Sequence, residues 1–235
     1  MGKTTRQPPL SIVIPALDGA ATLPATLAAL EEGRRAGLIA EVILVDGVSS
    51  DSTVGIAAGA GARIVDAGAP GRGRQLFVGG AAARGEWLLF LHADTSLAPG
   101  WAQAVARVLS DPAMAERAGH FRLRLDDPAR QARLIERLAN WRARRLGLPY
   151  GDQGLLIARD FYERLGGFRP LPLMEDVELV RRIGRRRLVA LDGAAVTSAA
   201  RYRRDGWWAR PLRNLTLLTL YFLGLPPGWL RRLYG

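Results

Sequence analysis

The residues of this chain best suited to chemistry are carboxylates placed where apolar runs end. Asp18 follows SIVIP (11–15), Asp46 closes EVILVD (41–46), and Asp94 closes GEWLLFLHAD (85–94). Further on come Asp152 and Gln153 in GDQG, and the adjacent pair Glu175-Asp176 in LMEDVELVRRIG. Between the two sets lies APGRGRQ (69–75), glycine-rich and carrying Arg72 and Arg74. A carboxylate can hold a hard cation or take a proton from an attacking hydroxyl. Arginines on flexible backbone suit a phosphate group. Cysteine is absent, which excludes a disulfide framework, a thiolate zinc site, an iron–sulfur cluster and a thiol nucleophile. With only His92 and His120 as imidazoles, a metal here rests mainly on carboxylate oxygens, the chemistry of Mg²⁺ or Mn²⁺.

Regular elements must carry these residues. SIVIP, EVILVD, ARIVD (62–66) and GEWLLFLHAD are short, continuous apolar runs, read as buried strands. Helical spacing separates them: Leu23, Leu27 and Leu30 after the first, an Asp51-Ser52 cap after the second, and a helix over about 74–83 after the third, with another near Pro99 after the fourth. Strand alternating with helix predicts a mostly parallel α/β sheet covered on both faces. Ligands of such sheets sit outside the carboxyl ends of the strands, where Asp18, Asp46, the Gly/Arg loop and Asp94 converge. The second half is less regular. FRLRL (121–125) reads as a strand with one wet face, and 128–147 as an amphipathic helix with Leu134, Leu138 and Trp141 on one side. LLIA and RLVALDG (187–193) are further strands, and 173–184 is a helix with its acids near the start. The 235 residues suit a single domain over 1–235, with an α/β first half (10–118), a less regular second half (119–205) and C-terminal amphipathic helices (206–235).

Charge divides unevenly. Of the net +11, residues 1–117 contribute ten Lys/Arg against eleven Asp/Glu, and residues 118–235 twenty-three Arg against eleven. That basic half suits a phosphorylated substrate, an anionic membrane surface or nucleic acid. No nucleic-acid motif accompanies it, and the arginines scatter over helix faces. The GxxxxGK[ST], GxGxxG-after-strand-one and GxSxG patterns are missing, which disfavours a P-loop enzyme, a nicotinamide dehydrogenase and an α/β-hydrolase.

SIVIPALDGAATL, LVDGVSSDST, APGRGRQLFVGGAAARGEWLLFLHADT, GDQGLLIA and LMEDVELVRRIG occur in the order typical of inverting family 2 glycosyltransferases with the GT-A fold, and the chain resembles that family over roughly 10–200. With VDG, LHADT, GDQG and EDVEL it looks closest to a small bacterial subgroup of arsenosugar-biosynthesis glycosyltransferases. The resemblance implies a Rossmann-like sheet and metal-dependent transfer from a nucleotide-diphosphate sugar, with Mg²⁺ or Mn²⁺ as cofactor, 10–118 as the nucleotide-sugar-binding half and 119–205 as the acceptor and catalytic half. Asp94 matches the metal-contacting end of the family's Asp-x-Asp, here His92-Ala93-Asp94. His92 stands where the first carboxylate would be, and His92 and Ala93 fall at donor-binding positions of the motif. Pro15, Ala16, Asp18 and Asp46 fall at the nucleotide-binding positions, with glycines (Gly19, Gly47) where family members carry a second acid. Arg72 and Arg74 line the donor segment, and Asp152 and Gln153 match the donor-sugar or acceptor contact. Asp176 matches the base, with Glu175 beside it to orient it or meet the acceptor. The acceptor stays open, a lipid-linked one among the choices; nucleic acid is not implied. The alternatives are a basic membrane- or nucleic-acid-binding module, or a sugar-phosphate nucleotidyltransferase. The latter lacks the basic glycine loop it needs after the first strand.

The N-terminal MGKTTRQPPLSIVIP carries no signal-peptide pattern. Near the other end, the apolar run Leu212 to Leu225 is interrupted by Arg213 and Asn214 and is too short to span a bilayer. It reads as a buried helix or as an interfacial one flanked by Trp207, Trp208, Trp229 and arginines. The expectation is a cytoplasmic protein that can work peripherally at the inner face of a membrane.

Overall fold

The computed structural model describes residues 9–234, Tyr234 through its backbone alone, so the reading of residues 1–8 lies outside the described residues. Strands β1 (Leu10–Ala16), β2 (Ile39–Asp46), β3 (Arg63–Asp66) and β4 (Trp87–Phe90) form where the apolar runs predict them. They pair in parallel in the order β3-β2-β1-β4, with Val13 opposite Ile43 on one side and Phe90 on the other. Because side chains alternate along a strand, Ile12 and Ile14 point to one face and Val13 to the other. The first face packs under α1 (Leu23–Ala29), α2 (Glu31–Arg35), α3 (Thr53–Gly59) and α5 (Trp101–Leu109), around Leu23, Leu44, Leu89 and the fully buried Trp101. The second lies under α4 (Arg72–Ala82), α7 (Arg159–Arg164) and α8 (Glu175–Ile183), around Leu76, Phe90, Phe161 and Ile183.

The sheet continues into the second half with mixed polarity. β7 (Leu155–Ala158) runs antiparallel to β4, and β6 (Ala118–Leu125) antiparallel to β7. β8 (Leu188–Thr197) is parallel to β6. β5 (Thr95–Leu97) ends the sheet, antiparallel to β8. Eight strands thus form one sheet, in the order β3-β2-β1-β4-β7-β6-β8-β5. The pairing of β5 with β8 is clasped by a 2.7 Å bond between the Thr95 and Thr197 hydroxyls, both buried, and by Ser198 N donating to Asp94 O at 3.0 Å.

Helix α6 (Arg130–Leu146) forms as its periodicity predicts, but with a different face inward. The expected apolar side is exposed: Leu134 at 41%, Leu138 at 55% and Trp141 at 52%. The buried side carries Ala132, Ile135, Glu136, Ala139 and Ala143. The cause is the edge of β6, which pairs with β7 at Ala118 and Gly119 and runs past it. Leu125 N there donates to Glu136 Oε1 (2.7 Å), and Asn140 both accepts from Leu123 N (2.8 Å) and donates to Leu123 O (3.1 Å). Buried backbone needs partners, so the polar and small side of the helix turns to the strand.

Three helices complete the described chain: α9 (Ala200–Asp205), α10 (Ala209–Phe222) and α11 (Pro227–Tyr234). α10 and α11 bury Leu217, Leu218 and Leu230 against Val177 and Val180 of α8, while Leu212, Leu215, Leu223 and Trp229 stay exposed. The C-terminal run therefore has one packed side and one bare side. Among the described residues, no helix is long and apolar enough to cross a membrane.

Candidate active site

A cleft of about 450 Å³ opens beyond the end of β4, between α6, α8 and α10. Its polar end gathers Arg72, His92, Asp94, Asp152, Asp176 and Arg201 from five separate stretches of chain. Each is placed by an identifiable local cause. β4 stops at Phe90, so His92-Ala93-Asp94 form a turn rather than the strand end expected; Thr26 Oγ1 donates to Ala93 O (3.0 Å) and fixes it. Arg72 and Arg74 lie in the first turn of α4, not in a loop as expected, because the helix starts immediately after Gly71. α4 sits close: a Cβ on Gly73 would lie 2.3 Å from Leu171 O. The side chain of Arg72 reaches across to Glu175, forming an ion pair between the start of α4 and the start of α8. Arg74 turns back onto the Ala67 carbonyl and is not among the cleft-lining residues.

Glu175 and Asp176 open α8, directly after Met174, whose φ of +65° is a left-handed conformation that non-glycine residues seldom adopt. The two acids face differently. Glu175 is 1% exposed and spent on Arg72; burial pushes its carboxyl up, against the pull of the guanidinium. Asp176 lines the cleft, accepting from Gly151 N at Oδ2 (3.0 Å) and from Val177 N at Oδ1 (2.8 Å), which leaves each oxygen a lone pair.

The GDQG turn divides in the same way. Asp152 lines the cleft, and its Oδ1 is buried with no hydrogen-bond partner. Burial pushes its carboxyl up to about 6; Arg142 pulls it down, while Asp176 and Asp94 push further. Gln153 is fully buried, its amide donating to Phe121 O (3.0 Å), so the structure places it behind the cleft wall. His92 stands against Gly151, where a Cβ would come within 2.4 Å of Nε2. Burial, then the nearby Arg72, push its imidazole down to about 4, so it is neutral at pH 7.

The ends of β1 and β2 lie outside this cleft. Asp46 accepts from Val48 N (3.1 Å) and from the Ser49 hydroxyl (2.5 Å), holding a turn in which Val48 has φ +70°. Asp18 accepts from Ser50 N (2.8 Å), joining the loop after β1 to that after β2. Pro15 and Ala16 are buried at the end of β1. Ala16 O accepts from the buried Gln75 amide (2.6 Å), which also bonds Val45 O (2.9 Å) and so ties the two strand ends together. Sequence reasoning missed Gln75, and also Arg142, Tyr150, Tyr202 and Arg210 of the cleft. Arg142 stacks over the Tyr150 ring, 3.3 Å from its centroid, and burial raises the phenol to about 12. The one signal, for Arg142 and Tyr150, was the density of arginine and aromatic residues just before GDQG.

Among the described residues, no three His, Cys, Asp or Glu side chains stand together as a ready-made metal cage. The set still fits a cation of the Mg²⁺ or Mn²⁺ kind, which can take one or two carboxylates and complete its shell from water and substrate phosphates. Asp94 faces the cleft with Arg201 Nη2 at 3.9 Å, beyond hydrogen-bond length, and the unpartnered Asp152 oxygen adds negative character nearby.

Comparison with known proteins bears on this arrangement. The fold matches glucosyl-3-phosphoglycerate synthase from Mycobacterium tuberculosis in complex with Mn²⁺, UDP and glucosyl-3-phosphoglycerate, at 23% identity and TM-score 0.54 over 80% of this chain and 70% of that one. The same enzyme with Mn²⁺ and UDP-glucose matches at 21% identity and TM-score 0.56, over 80% and 69% of the two chains. Residues 1–349 of S. aureus TarS match at 15% identity and TM-score 0.61, over 81% of this chain and 60% of that one. These likenesses show the GT-A fold. No curated protein sequence matches the chain. Residues 11–164, nearly two thirds of the chain, match the sequence profile of Glycosyl transferase family 2. The strand-end acids, the Gly/Arg helix start and the GDQG turn thus sit on a GT-A sheet, and the chain belongs to glycosyl transferase family 2.

Proposed function

We propose that the protein transfers a sugar from a nucleotide-diphosphate sugar to an acceptor hydroxyl or phosphate, with inversion at the anomeric carbon. The observation that carries this is the convergence of Asp94, Asp152 and Asp176 with Arg72 and Arg201 at one end of a single cleft. An acceptor oxygen attacks the anomeric carbon as the bond from that carbon to the diphosphate oxygen breaks. Where the acceptor is a hydroxyl, its proton passes to a free lone pair of Asp176, and the nucleoside diphosphate departs with the bonding electrons. Arg72 meets the leaving charge, held toward it by the buried Glu175, which acts as a positioning residue. A divalent cation bound through Asp94 would supply further neutralisation of the diphosphate. The neutral imidazole of His92 adds no charge beside it.

The nucleotide lies along Pro15 and Ala16 at the end of β1 in this reading, with Asp18, Asp46 and Arg74 shaping its loops more than touching it. Asp152 meets the sugar or the acceptor, and Gln153 holds the turn. Residues 10–118, 119–205 and 206–235 act as the donor, acceptor and C-terminal segments of one catalytic unit, working at the cytoplasmic face of a membrane. The arsenosugar-biosynthesis subgroup rests on the VDG, LHADT, GDQG and EDVEL motifs alone.

The test is calorimetric binding of UDP- and GDP-sugars, with Mn²⁺ and with EDTA, followed by a transfer assay. Asp94→Ala abolishes metal-dependent donor binding. Asp176→Asn keeps donor binding and lowers transfer by about 10²–10⁴-fold. Full transfer by Asp176→Asn would remove it as the base, and no donor binding by the folded wild type would overturn the whole reading.

A further inference from the structure

Away from its polar end, the same cleft is walled by hydrocarbon. Ile135 and Ala139 of α6, Val177 of α8, and Leu217 and Leu218 of α10 form a buried floor. Leu138, Trp141 and Leu146 on one lip, with Leu215 at 58% exposure on the other, carry that surface out to solvent. This is the side of α6 that the β6 edge forces outward, so two helices present apolar faces to each other across an open gap. A soluble protein seldom leaves a continuous apolar track exposed unless something covers it.

The track is a trench that deepens from its lips to a buried floor, and its volume is in the range of pockets that take a small ligand. Its shape suits a chain rather than the flat face of another protein. At the polar end the chain would meet Arg72, Arg142, Arg201 and Arg210 set among Asp94, Asp152 and Asp176, with Arg201 and Arg210 standing 3.9 and 3.8 Å from the carboxylates of Asp94 and Asp205. Four guanidinium groups at the polar end and hydrocarbon along the rest of the cleft match a molecule with an anionic head and an apolar tail.

We infer that the acceptor is a single-chain amphiphile with a phosphate or similar anionic head, its tail lying between α6 and α10 and its head beside Asp176. This rests on the transfer reading above and narrows it to one acceptor class.

Calorimetry on the full chain with hexyl, octyl, decyl and dodecyl phosphate, each below its micelle-forming concentration, tests the inference directly. If each added methylene is buried in the trench, affinity rises by up to about fourfold per methylene until the tail reaches the lips. Leu138→Gln with Leu215→Gln, both at exposed positions, flattens that gradient and weakens dodecyl phosphate at least tenfold, with melting curves confirming that the variant is folded. An affinity independent of chain length, inorganic phosphate competing as well as dodecyl phosphate, or an unchanged gradient in the double variant each overturns the inference. Binding of the UDP- and GDP-sugar panel with Mn²⁺ is measured on the same wild-type sample. Its absence overturns the transfer reading, whereas a flat gradient with donor binding intact overturns the acceptor class alone.

Discussion

Replacing Asp152 by Asn should make the protein more stable at neutral pH and less so, relative to wild type, in acid. Its Oδ1 is buried without a partner, and the folded protein holds its carboxyl proton up to pH of about 6, against an ordinary value of 3.8. Between those values the folded state binds a proton that the unfolded state has released. Wild-type stability from this group therefore falls as pH rises through the window, and above about pH 6 the ionised carboxylate carries its full penalty. The gap between 3.8 and about 6 is worth about 3 kcal/mol. Asn removes the charge but keeps a polar oxygen that also lacks a partner, at a cost of about 1 kcal/mol. The net gain at pH 7.5 is then about 2 kcal/mol, or about 4–8 °C in Tm for a chain of this size. Urea unfolding of both proteins in EDTA, at pH 7.5 and pH 4.5, measures the difference. The advantage of Asn should shrink sharply at the lower pH. An Asn variant no more stable than wild type at pH 7.5, or an advantage independent of pH, would refute the reasoning. A carboxylate kept where it destabilises the fold is the pattern of a group retained for binding or catalysis.

Three further outcomes follow from the same geometry. Arg72→Met strands the buried Glu175 and should cost about 3 kcal/mol by urea unfolding, with much of it recovered in Arg72→Met/Glu175→Gln. Gly73→Ala drives a methyl into the Leu171 carbonyl and should cost about 1–3 kcal/mol, seen as a lower Tm. Gln75→Leu leaves the Ala16 and Val45 carbonyls short of a donor; it should lower stability by about 1–3 kcal/mol and weaken nucleotide binding in calorimetry through the loosened strand ends.

How much of this was legible in the sequence depended on which interactions shaped each element. β1 to β4 were readable because parallel strands buried on both faces are unbroken apolar runs, such as SIVIP and EVILVD. The carboxylates that line the cleft were readable because they follow those runs or sit in short motifs. Sequence had no means of separating Glu175 from Asp176, or Asp152 from Gln153, since adjacent residues diverge only once a partner such as Arg72 or Phe121 is in place. The helix at 128–147 misled for a similar reason. Leucine and tryptophan normally mark the inward face, but the bare edge of β6 needed Glu136 and Asn140 more.

The clasp between β5 and β8 has a consequence for how the enzyme is made. β5 follows the His92-Ala93-Asp94 turn immediately, yet its hydrogen-bonded partner arrives about a hundred residues later. On a ribosome, the parallel strands β1 to β4 can pair while that turn still lacks its lateral support from β8. Asp94, the residue proposed to hold the cation, therefore gains this lateral support, beyond the bond from Thr26 to Ala93 O, only after β8 has emerged and Thr197 has met Thr95. Under the proposed function, early-terminated fragments that lack β8 should form the parallel strands and bind a nucleotide sugar more weakly than the full chain, as calorimetry would show.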